Sequence, residues 1–171
     1  MTWESFMHIR EELQITRPLE PGHELALALL LTREYVARLF EQGLYEPEGL
    51  SDQQFNVLRI LKGGPKDGYL IKDIRCRMIY RFADVPRLVN RLESQGLVKR
   101  CENPSDRRGS RIQITPKGLA LEGRMHGCHE ALCRQVDRCL SPQECEQLLA
   151  LLERVRDDHR VQLEALKPSE A

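Results

Sequence analysis

One stretch of this sequence decides its fold: residues 84–115 read DVPRLVNRLESQGLVKRCENPSDRRGSRIQIT. The first part has apolar residues at helical spacing. The second part contains two short strand-like segments that are separated by turn-forming residues. A helix followed directly by a β-hairpin is therefore predicted. Cationic side chains occur along both elements, and their purpose is the question that the rest of the chain must answer.

The predicted helix covers residues 84–95. Asp84 is the natural N-cap, and Pro86 restricts the start to residues 83–85, because proline is tolerated only in the first helical turn. Gly96 ends the helix. The apolar residues share one face, which predicts that this face is buried; they are Val85, Leu88, Val89 and Leu92.

The hairpin is predicted to have strands at 97–101 and 110–115. Arg107 and Arg108 stand side by side at its tip, directly after Asp106. A pair of arginines at such a tip fits insertion into a narrow DNA minor groove, where the negative potential is strongest. Asp106 can orient Arg108 through a charge-assisted hydrogen bond. The alternative is a hairpin tip that only improves solubility.

Helices are predicted on both sides of this stretch, with two capping boxes, Ser51 with Gln54 and Ser141 with Glu144. The segment EQGLYEPEG (41–49) is expected to break the second helix. The predicted helices outside 84–95 are 3–13, 23–42, one opening at 51, 70–78, one from 115 to about 139, and 141–166.

This order predicts a mostly α fold with a small β-hairpin wing, which is a winged helix-turn-helix. The expected parts of the chain are N-terminal helices (1–48), a DNA-binding domain (49–118) and C-terminal helices (119–171). The helix at 23–42 is apolar on most sides. In a chain of 171 residues, such a helix favours burial against a partner subunit.

The net charge of zero hides a segregation of charge along the chain. Residues 70–118 hold 12 Lys/Arg against 5 Asp/Glu, a balance of +7, whereas residues 1–69 balance to −4 and residues 119–171 to −3. A basic block between acidic flanks indicates a polyanionic partner. A solvated charged face is the alternative.

The outer face of the predicted helix at 84–95 supplies candidate DNA contacts. Arg87 can pair with guanine, Asn90 with adenine, and Asp84 with cytosine. Ala83 is placed to touch a thymine methyl group, and Arg91 on the flank suits a phosphate. Taken alone, a plain amphipathic helix with a charged outer face explains the same pattern.

Residues 50–122 resemble the MarR family of bacterial transcription regulators. The resemblance lies in Asp106, Arg108 and Ile112, followed by ITP, and in RLVNRLESQGLVKR at 87–100. It implies an obligate homodimer joined through the first and last two helices, so that residues 1–48 and 119–171 are the N-terminal and C-terminal dimerisation helices of a helical dimerisation lobe. It further implies a pseudo-palindromic operator and a ligand pocket between the dimer and DNA lobes. It also implies that Arg108 is the wing arginine, buttressed by Asp106, and that Arg87 is the recognition-helix arginine.

The sequence departs from the family pattern in places. Phe82, Asp84 and Pro86 stand where the family often has Ser and Thr, which predicts an unusual operator. Arg75 replaces a small residue, so the packing of its helix is open. Tyr35, Arg38 and Met125 are candidates for the ligand pocket.

Histidine and cysteine residues raise metal and redox alternatives. His126, Cys128, His129 and Cys133 lie close together in sequence, but such spacing arises easily by chance, and no metal site is predicted. Cys101, beside two cations, is a candidate oxidant sensor. In a reducing compartment all six cysteines are expected to be free thiols; they are Cys76, Cys101, Cys128, Cys133, Cys139 and Cys145.

No motif of a hydrolase, metalloprotease, P-loop enzyme or dinucleotide-binding enzyme is present in the sequence. We therefore expect a protein that is not an enzyme and needs no cofactor. Because no basic-then-apolar signal segment opens the chain, the expected location is the cytoplasm. The predicted function is that of a homodimeric repressor that binds double-stranded DNA and is relieved by a small-molecule effector. Two alternatives stay open: a metal- or thiol-responsive DNA-binding sensor, and a winged-helix protein–protein adaptor.

Overall fold

A computed structural model describes residues 8–102 and 110–165. The chain forms two compact units, residues 1–130 and residues 131–171. The functional domains expected from the sequence, with boundaries at 48/49 and 118/119, stay a prediction. The helices are α1 (Ile9–Glu12), α2 (Pro21–Phe40), α3 (Asp52–Lys62), α4 (Ile71–Arg77), α5 (Val85–Ser94), α6 (Pro116–Val136) and α7 (Pro142–Ala165). The strands are β1 (Tyr69–Leu70), β2 (Val98–Glu102) and β3 (Ser110–Ile114). The mostly helical fold with a small hairpin is thereby confirmed.

Helix α2 does not stop where the sequence predicted. It continues through a π-helical turn, Glu41–Tyr45, and a 3₁₀ turn, Glu46–Glu48. The expected break at 41–49 is therefore wrong for most of that segment. Burial of Leu44, which is only 3% exposed, outweighs the local cost of Gly43 in a helix. The helical path ends at Gly49, whose positive φ of 65° favours glycine.

Helix α3 lies at the centre of the first unit and packs against α4, α5 and β3. Its predicted capping box is confirmed. The Gln54 amide donates to Ser51 Oγ at 3.2 Å, and the Ser51 amide donates to Gln54 Oε1 at 2.9 Å. The core around α3 consists mainly of residues that are at most 4% exposed; they include Phe55, Leu58, Ile74, Val89, Leu92 and Ile112.

The sheet has three antiparallel strands in the order β1–β3–β2. Strands β2 and β3 form the predicted hairpin. Strand β1 was missed, because the sequence predicted a helix beginning at Leu70. Instead Tyr69 pairs with Ile112 and Leu70 with Arg111, and α4 begins one residue later. The two-residue strand ties the start of α4 to the wing.

Helices α6 and α7 begin as predicted. The Gly118 amide donates to Thr115 Oγ1 at 3.1 Å, and the Ser141 amide donates to Glu144 Oε2 at 2.8 Å. Backbone and hydroxyl donation from Ser141 lowers the pKa of Glu144. Across the described ranges, no helix is both sufficiently long and sufficiently apolar to cross a bilayer.

Candidate nucleic-acid interface

Helix α5 is fixed to the core through its apolar face. Val85, Val89 and Leu92 are 0% exposed, and Leu88 is 8% exposed. Burial of each such side chain contributes about 1.5–3 kcal/mol relative to exposure. The helix starts where Asp84 and Pro86 predicted: Asp84 is the N-cap, and its Oδ1 accepts from the Arg87 amide at 3.2 Å. The apolar face of α5 is thus held rigidly against the core, and this fixes the direction of the opposite, outer face.

The outer face of α5 presents cations to solvent. Arg87 and Arg91 are both exposed. Within the described residues, neither guanidinium group has a hydrogen bond or an ion pair. Their charges are therefore available to an external anion. A direct DNA contact requires exposed cations of this kind, whereas an arginine buried within the protein could not reach a phosphate or a base.

Asn90, on the same outer face, is engaged by another side chain of the protein. Its Oδ1 accepts a hydrogen bond at 2.6 Å from a guanidinium nitrogen of Arg100, on strand β2. Arg100 also forms an ion pair with Glu93, one helical turn after Asn90. Sequence reasoning missed Arg100, because its two partners lie seven and ten residues earlier and meet it only through the turn at Gly96.

The approach to α5 exposes an aromatic side chain that sequence reasoning did not assign to the site. Phe82 is 92% exposed, and Ile79 nearby is 75% exposed. Ala83 lies two residues before the helix and is half-buried, and its contact with DNA stays a prediction. The sequence did contain a signal for this exposure, because Phe82 does not fall at the helical spacing of the apolar residues of α4 or of α5.

Helix α4 and the loop that follows it add further cations, and two of these, Arg77 and Arg81, are held by the protein itself. The Arg77 guanidinium lies 4.4 Å from the centre of the Tyr69 ring and donates to the Asp73 carbonyl at 2.9 Å. Arg81 donates to the Cys76 carbonyl at 2.9 Å. Arg75 is exposed, so the departure at this position faces solvent rather than the core.

The base of the wing is clamped by Arg111 on β3. Its guanidinium lies 3.1 Å from Asp67 Oδ2 and donates to the Gly68 carbonyl at 2.6 Å. Gly68 has a φ of 81°, and a Cβ there would lie 2.2 Å from the Ile112 carbonyl oxygen, so only glycine fits. The predicted wing-tip residues Asp106, Arg107 and Arg108 lie outside the described residues.

The family model that matches this sequence is that of the MarR family, over residues 48–109. The homoprotocatechuate degradative operon repressor of Escherichia coli is 30% identical over 129 residues, which cover 75% of this chain and 85% of the repressor. The chain belongs to the MarR family. This MarR-family chain is a DNA-binding transcription regulator, and the predicted family membership is confirmed.

Two further comparisons agree. The HTH-type transcriptional regulator MhqR of Bacillus subtilis is 30% identical over 107 residues, covering 63% of this chain and 72% of MhqR. The structure of AbsC, a MarR family transcriptional regulator from Streptomyces coelicolor, superposes with a TM-score of 0.72 at 25% identity. That superposition covers 85% of this chain and 99% of AbsC.

A small cavity of about 40 Å³ lies between α3, the α4–α5 loop and α6. Within it, Arg59 donates to His129 Nε2 at 2.9 Å, and the His129 ring centre lies 5.6 Å from Phe40 and 5.8 Å from Phe55. Burial, followed by the charge of Arg59, lowers the pKa of His129. The cavity is lined by Tyr45, Asp52, Phe55, Asn56, Arg59, Ile79, Tyr80 and His129.

The three predicted ligand residues do not line this cavity. Tyr35 is 58% exposed on α2 and donates to Glu12, which raises the pKa of Tyr35. Arg38 lies 3.9 Å from Glu41 and is exposed. Met125, on α6, is 2% exposed. Their assignment to a ligand stays a prediction.

Cys76, Cys101, Cys128, Cys139 and Cys145 are free thiols. Cys101 is half-buried and its thiol donates to Gln113 Oε1 at 3.2 Å. His126 lies 3.3 Å from Glu130, and His129 is engaged by Arg59. In the part of the chain that the structure describes, no three potential metal ligands from His, Cys, Asp and Glu converge.

Proposed function

We propose that this MarR-family regulator is a homodimeric repressor that reads a pseudo-palindromic operator with α5 and the wing. The observation that carries the proposal is the outer face of α5, where Arg87 and Arg91 are exposed and unpaired within the described residues. They belong to the +7 block at residues 70–118. A second motif helix in this setting enters the major groove, and a wing contacts the neighbouring backbone or minor groove.

Exposed apolar side chains support a second copy as the partner. On α2, Leu25 is 51% and Leu30 is 64% exposed, and no residue of that helix is buried. On α7, Leu149 and Leu151 are likewise more than half exposed. Apolar sets on long helices are characteristic of an interface. A two-fold dimer matches an operator whose half-sites lie about one helical turn apart.

Selection of bound sequences from random double-stranded DNA tests the DNA part of the proposal. The expected result is a two-fold symmetric consensus. In competition assays on that consensus, Arg87→Ala and Arg108→Ala should each weaken binding by roughly 1–3 kcal/mol. Arg154→Ala removes the same charge from α7 and is the matched control. A chain that enriches no sequence, or loses equal affinity in all three variants, is not the proposed repressor.

We propose a small aromatic acid as the effector. Support comes from the 30% identical relative, whose name assigns it to a homoprotocatechuate degradative operon. The cavity beside α3 has suitable chemistry, with one guanidinium (Arg59) among the rings of Tyr45, Phe55 and His129. At about 40 Å³ it must widen before it can hold a ring, because ligand pockets usually enclose about 300–1,000 Å³. Widening the cavity would displace elements that position α5. The ligand would then bind the widened shape of the protein more tightly than the DNA-binding shape, and this difference in affinity is what shifts the population between the two.

Release of operator DNA by homoprotocatechuate, with glutarate as an aliphatic control, tests the effector. Arg59→Met should keep operator binding and lose the response. Arg38→Met separates this cavity from the site predicted on α2, because Arg38 lies outside the cavity lining. Loss of the response in Arg38→Met alone would move the site to α2. Release by glutarate as well would remove the aromatic specificity.

The proposal contains no catalytic step and no cofactor, and it places the protein in the cytoplasm with the DNA it regulates. The adaptor alternative predicts that the selection yields no consensus. A thiol- or metal-responsive sensor predicts that operator affinity changes with reductant or chelator in the absence of any aromatic acid.

A further inference from the structure

Arg100, on strand β2 of the wing, is joined to helix α5 by three polar contacts. Its backbone amide donates to Glu93 Oε1 at 3.2 Å, and its guanidinium forms an ion pair with the same carboxylate. A second guanidinium nitrogen donates to Asn90 Oδ1 at 2.6 Å. Asn90 and Glu93 lie one turn apart on α5, so the planar fork of Arg100 spans both.

The chemistry of guanidinium fixes which way the Asn90 amide points. Arginine has only donors, so the atom that faces Arg100 has to be the amide oxygen. The Nδ2 group is therefore turned away from Arg100, and Asn90 is exposed. Asn90 thus offers its two N–H donors outward, while its oxygen is already engaged.

We propose that Arg100 is a specificity-determining residue that makes Asn90 read guanine instead of adenine. The inference rests on the proposed role of α5 in the major groove. Adenine presents one acceptor and one donor, N7 and the N6 amino group, and needs both the oxygen and the nitrogen of an asparagine. Guanine presents two acceptors, N7 and O6, which suit outward N–H donors. The pairing of Asn90 with adenine that the sequence suggested is thereby replaced.

The amide oxygen retains a second lone pair, and the N6 amino group of adenine is a hydrogen-bond donor that could use it. The positive charge of Arg100 opposes this, because it lies 2.6 Å from that oxygen and repels an amino donor that approaches the same atom. The same charge attracts the O6 and N7 atoms of guanine. Donor geometry and electrostatics therefore favour the same base.

The test begins with sequence selection by the wild-type dimer and by Asn90→Ala. The base pair whose preference is lost in Asn90→Ala is the one that Asn90 reads. At that pair we expect G·C to be preferred over A·T by about fivefold or more in the wild type. A preference for A·T, or no pair that responds to Asn90→Ala, overturns the inference. A wild type that enriches no sequence overturns the proposed function with it.

Arg100→Met then frees the amide of Asn90, and the G·C preference should fall at least fivefold, to parity or to a preference for A·T. Lys99→Met is the matched control, since it removes one exposed cation from the same strand; it should weaken all sequences alike. Adding Glu93→Gln to Arg100→Met removes the carboxylate left unpaired, and the shift should persist. An Arg100→Met selection identical to that of Lys99→Met overturns the proposal.

Arg100→Lys decides the question if Arg100→Met does not fold. Lysine can keep the ion pair with Glu93, but its single ammonium group lacks the fork that joins both partners. The G·C preference should fall in the same direction in this variant. Full retention of the wild-type preference would show that the contact with Asn90 does not set specificity.

Discussion

Asp84 can be a helix cap or a reader of cytosine, and substitution separates the two roles. In the structure its Oδ1 accepts from the Arg87 amide at 3.2 Å, at the N-cap of a ten-residue helix. Asp84→Ala removes both the cap and the charge. Asp84→Asn removes only the charge, because asparagine caps about as well as aspartate.

The expected magnitudes follow from this geometry. Loss of an N-cap costs about 0.5–2 kcal/mol, typically about 1. Loss of a negative charge at a helix N-terminus costs a further 0.3–1 kcal/mol or so. Asp84→Ala should therefore lower the free energy of unfolding by about 1.5 kcal/mol, and Asp84→Asn by about 0.5 kcal/mol. For a chain of this size, 1 kcal/mol corresponds to a fall in Tm of roughly 2–4 °C.

Chemical denaturation gives the free energies of unfolding, and operator competition at a temperature where both variants are folded gives affinity. If Asp84 is only a cap, Asp84→Asn should bind DNA more tightly at every site, because a charge that repels phosphate is gone. If the carboxylate reads a base, Asp84→Asn should lose selectivity at one C·G pair. An Asp84→Ala variant as stable as the wild type would refute the capping argument.

Three further predictions concern stability and assembly. Glu122 is 2% exposed and paired with Lys62, which is 40% exposed. Lys62→Met leaves the Glu122 carboxylate without this partner and should cost about 1–3 kcal/mol of unfolding free energy, and adding Glu122→Leu should recover most of it. The pKa of His129 is lowered in the folded state, so below about pH 6.5 the unfolded state binds a proton that the folded state resists. The free energy of unfolding should therefore fall on acidification. In denaturation measured as a function of pH, His129→Gln should flatten that fall. Leu30→Glu should shift the sedimentation of the protein from dimer toward monomer without changing its circular dichroism. The first prediction is contradicted if the free energy of unfolding of Lys62→Met lies within about 0.5 kcal/mol of the wild-type value. A steeper loss of stability with acid in His129→Gln contradicts the second, and a Leu30→Glu protein that stays dimeric contradicts the third.

The parts of the fold that the sequence predicted well are those with local causes. The start of α5 follows from Asp84 and Pro86, and the start of α7 from Ser141 and Glu144, all within a few residues of each other. Caps and helical periodicity act over one or two turns, so a single sequence contains them completely. The burial of the apolar face of α5 follows from the same local pattern.

The parts that the sequence missed have partners far along the chain. Strand β1 exists only because Tyr69 and Leu70 meet β3 about forty residues later, and a two-residue strand has no periodicity of its own. The continuation of α2 past Gly43 depends on the tertiary burial of Leu44. At the site, the outward direction of Arg87 was predictable from helical phase. The engagement of Asn90 by Arg100 was not, because that contact needs the hairpin to be folded.

The net charge of the basic block overstates what the regulator can offer to DNA. The block at residues 70–118 holds 12 Lys/Arg, but several of its arginines are engaged by carbonyls, carboxylates or a ring; these are Arg77, Arg81, Arg100 and Arg111. These contacts stiffen the frame around α5 and leave fewer guanidinium donors for phosphates. Salt-dependent affinity scales with the phosphates that are neutralised, not with formal charge. In the proposed function, the cations that have no partner among the described residues, Arg87 and Arg91 among them, would supply the electrostatic attraction, while the engaged ones hold the surface proposed to read the bases.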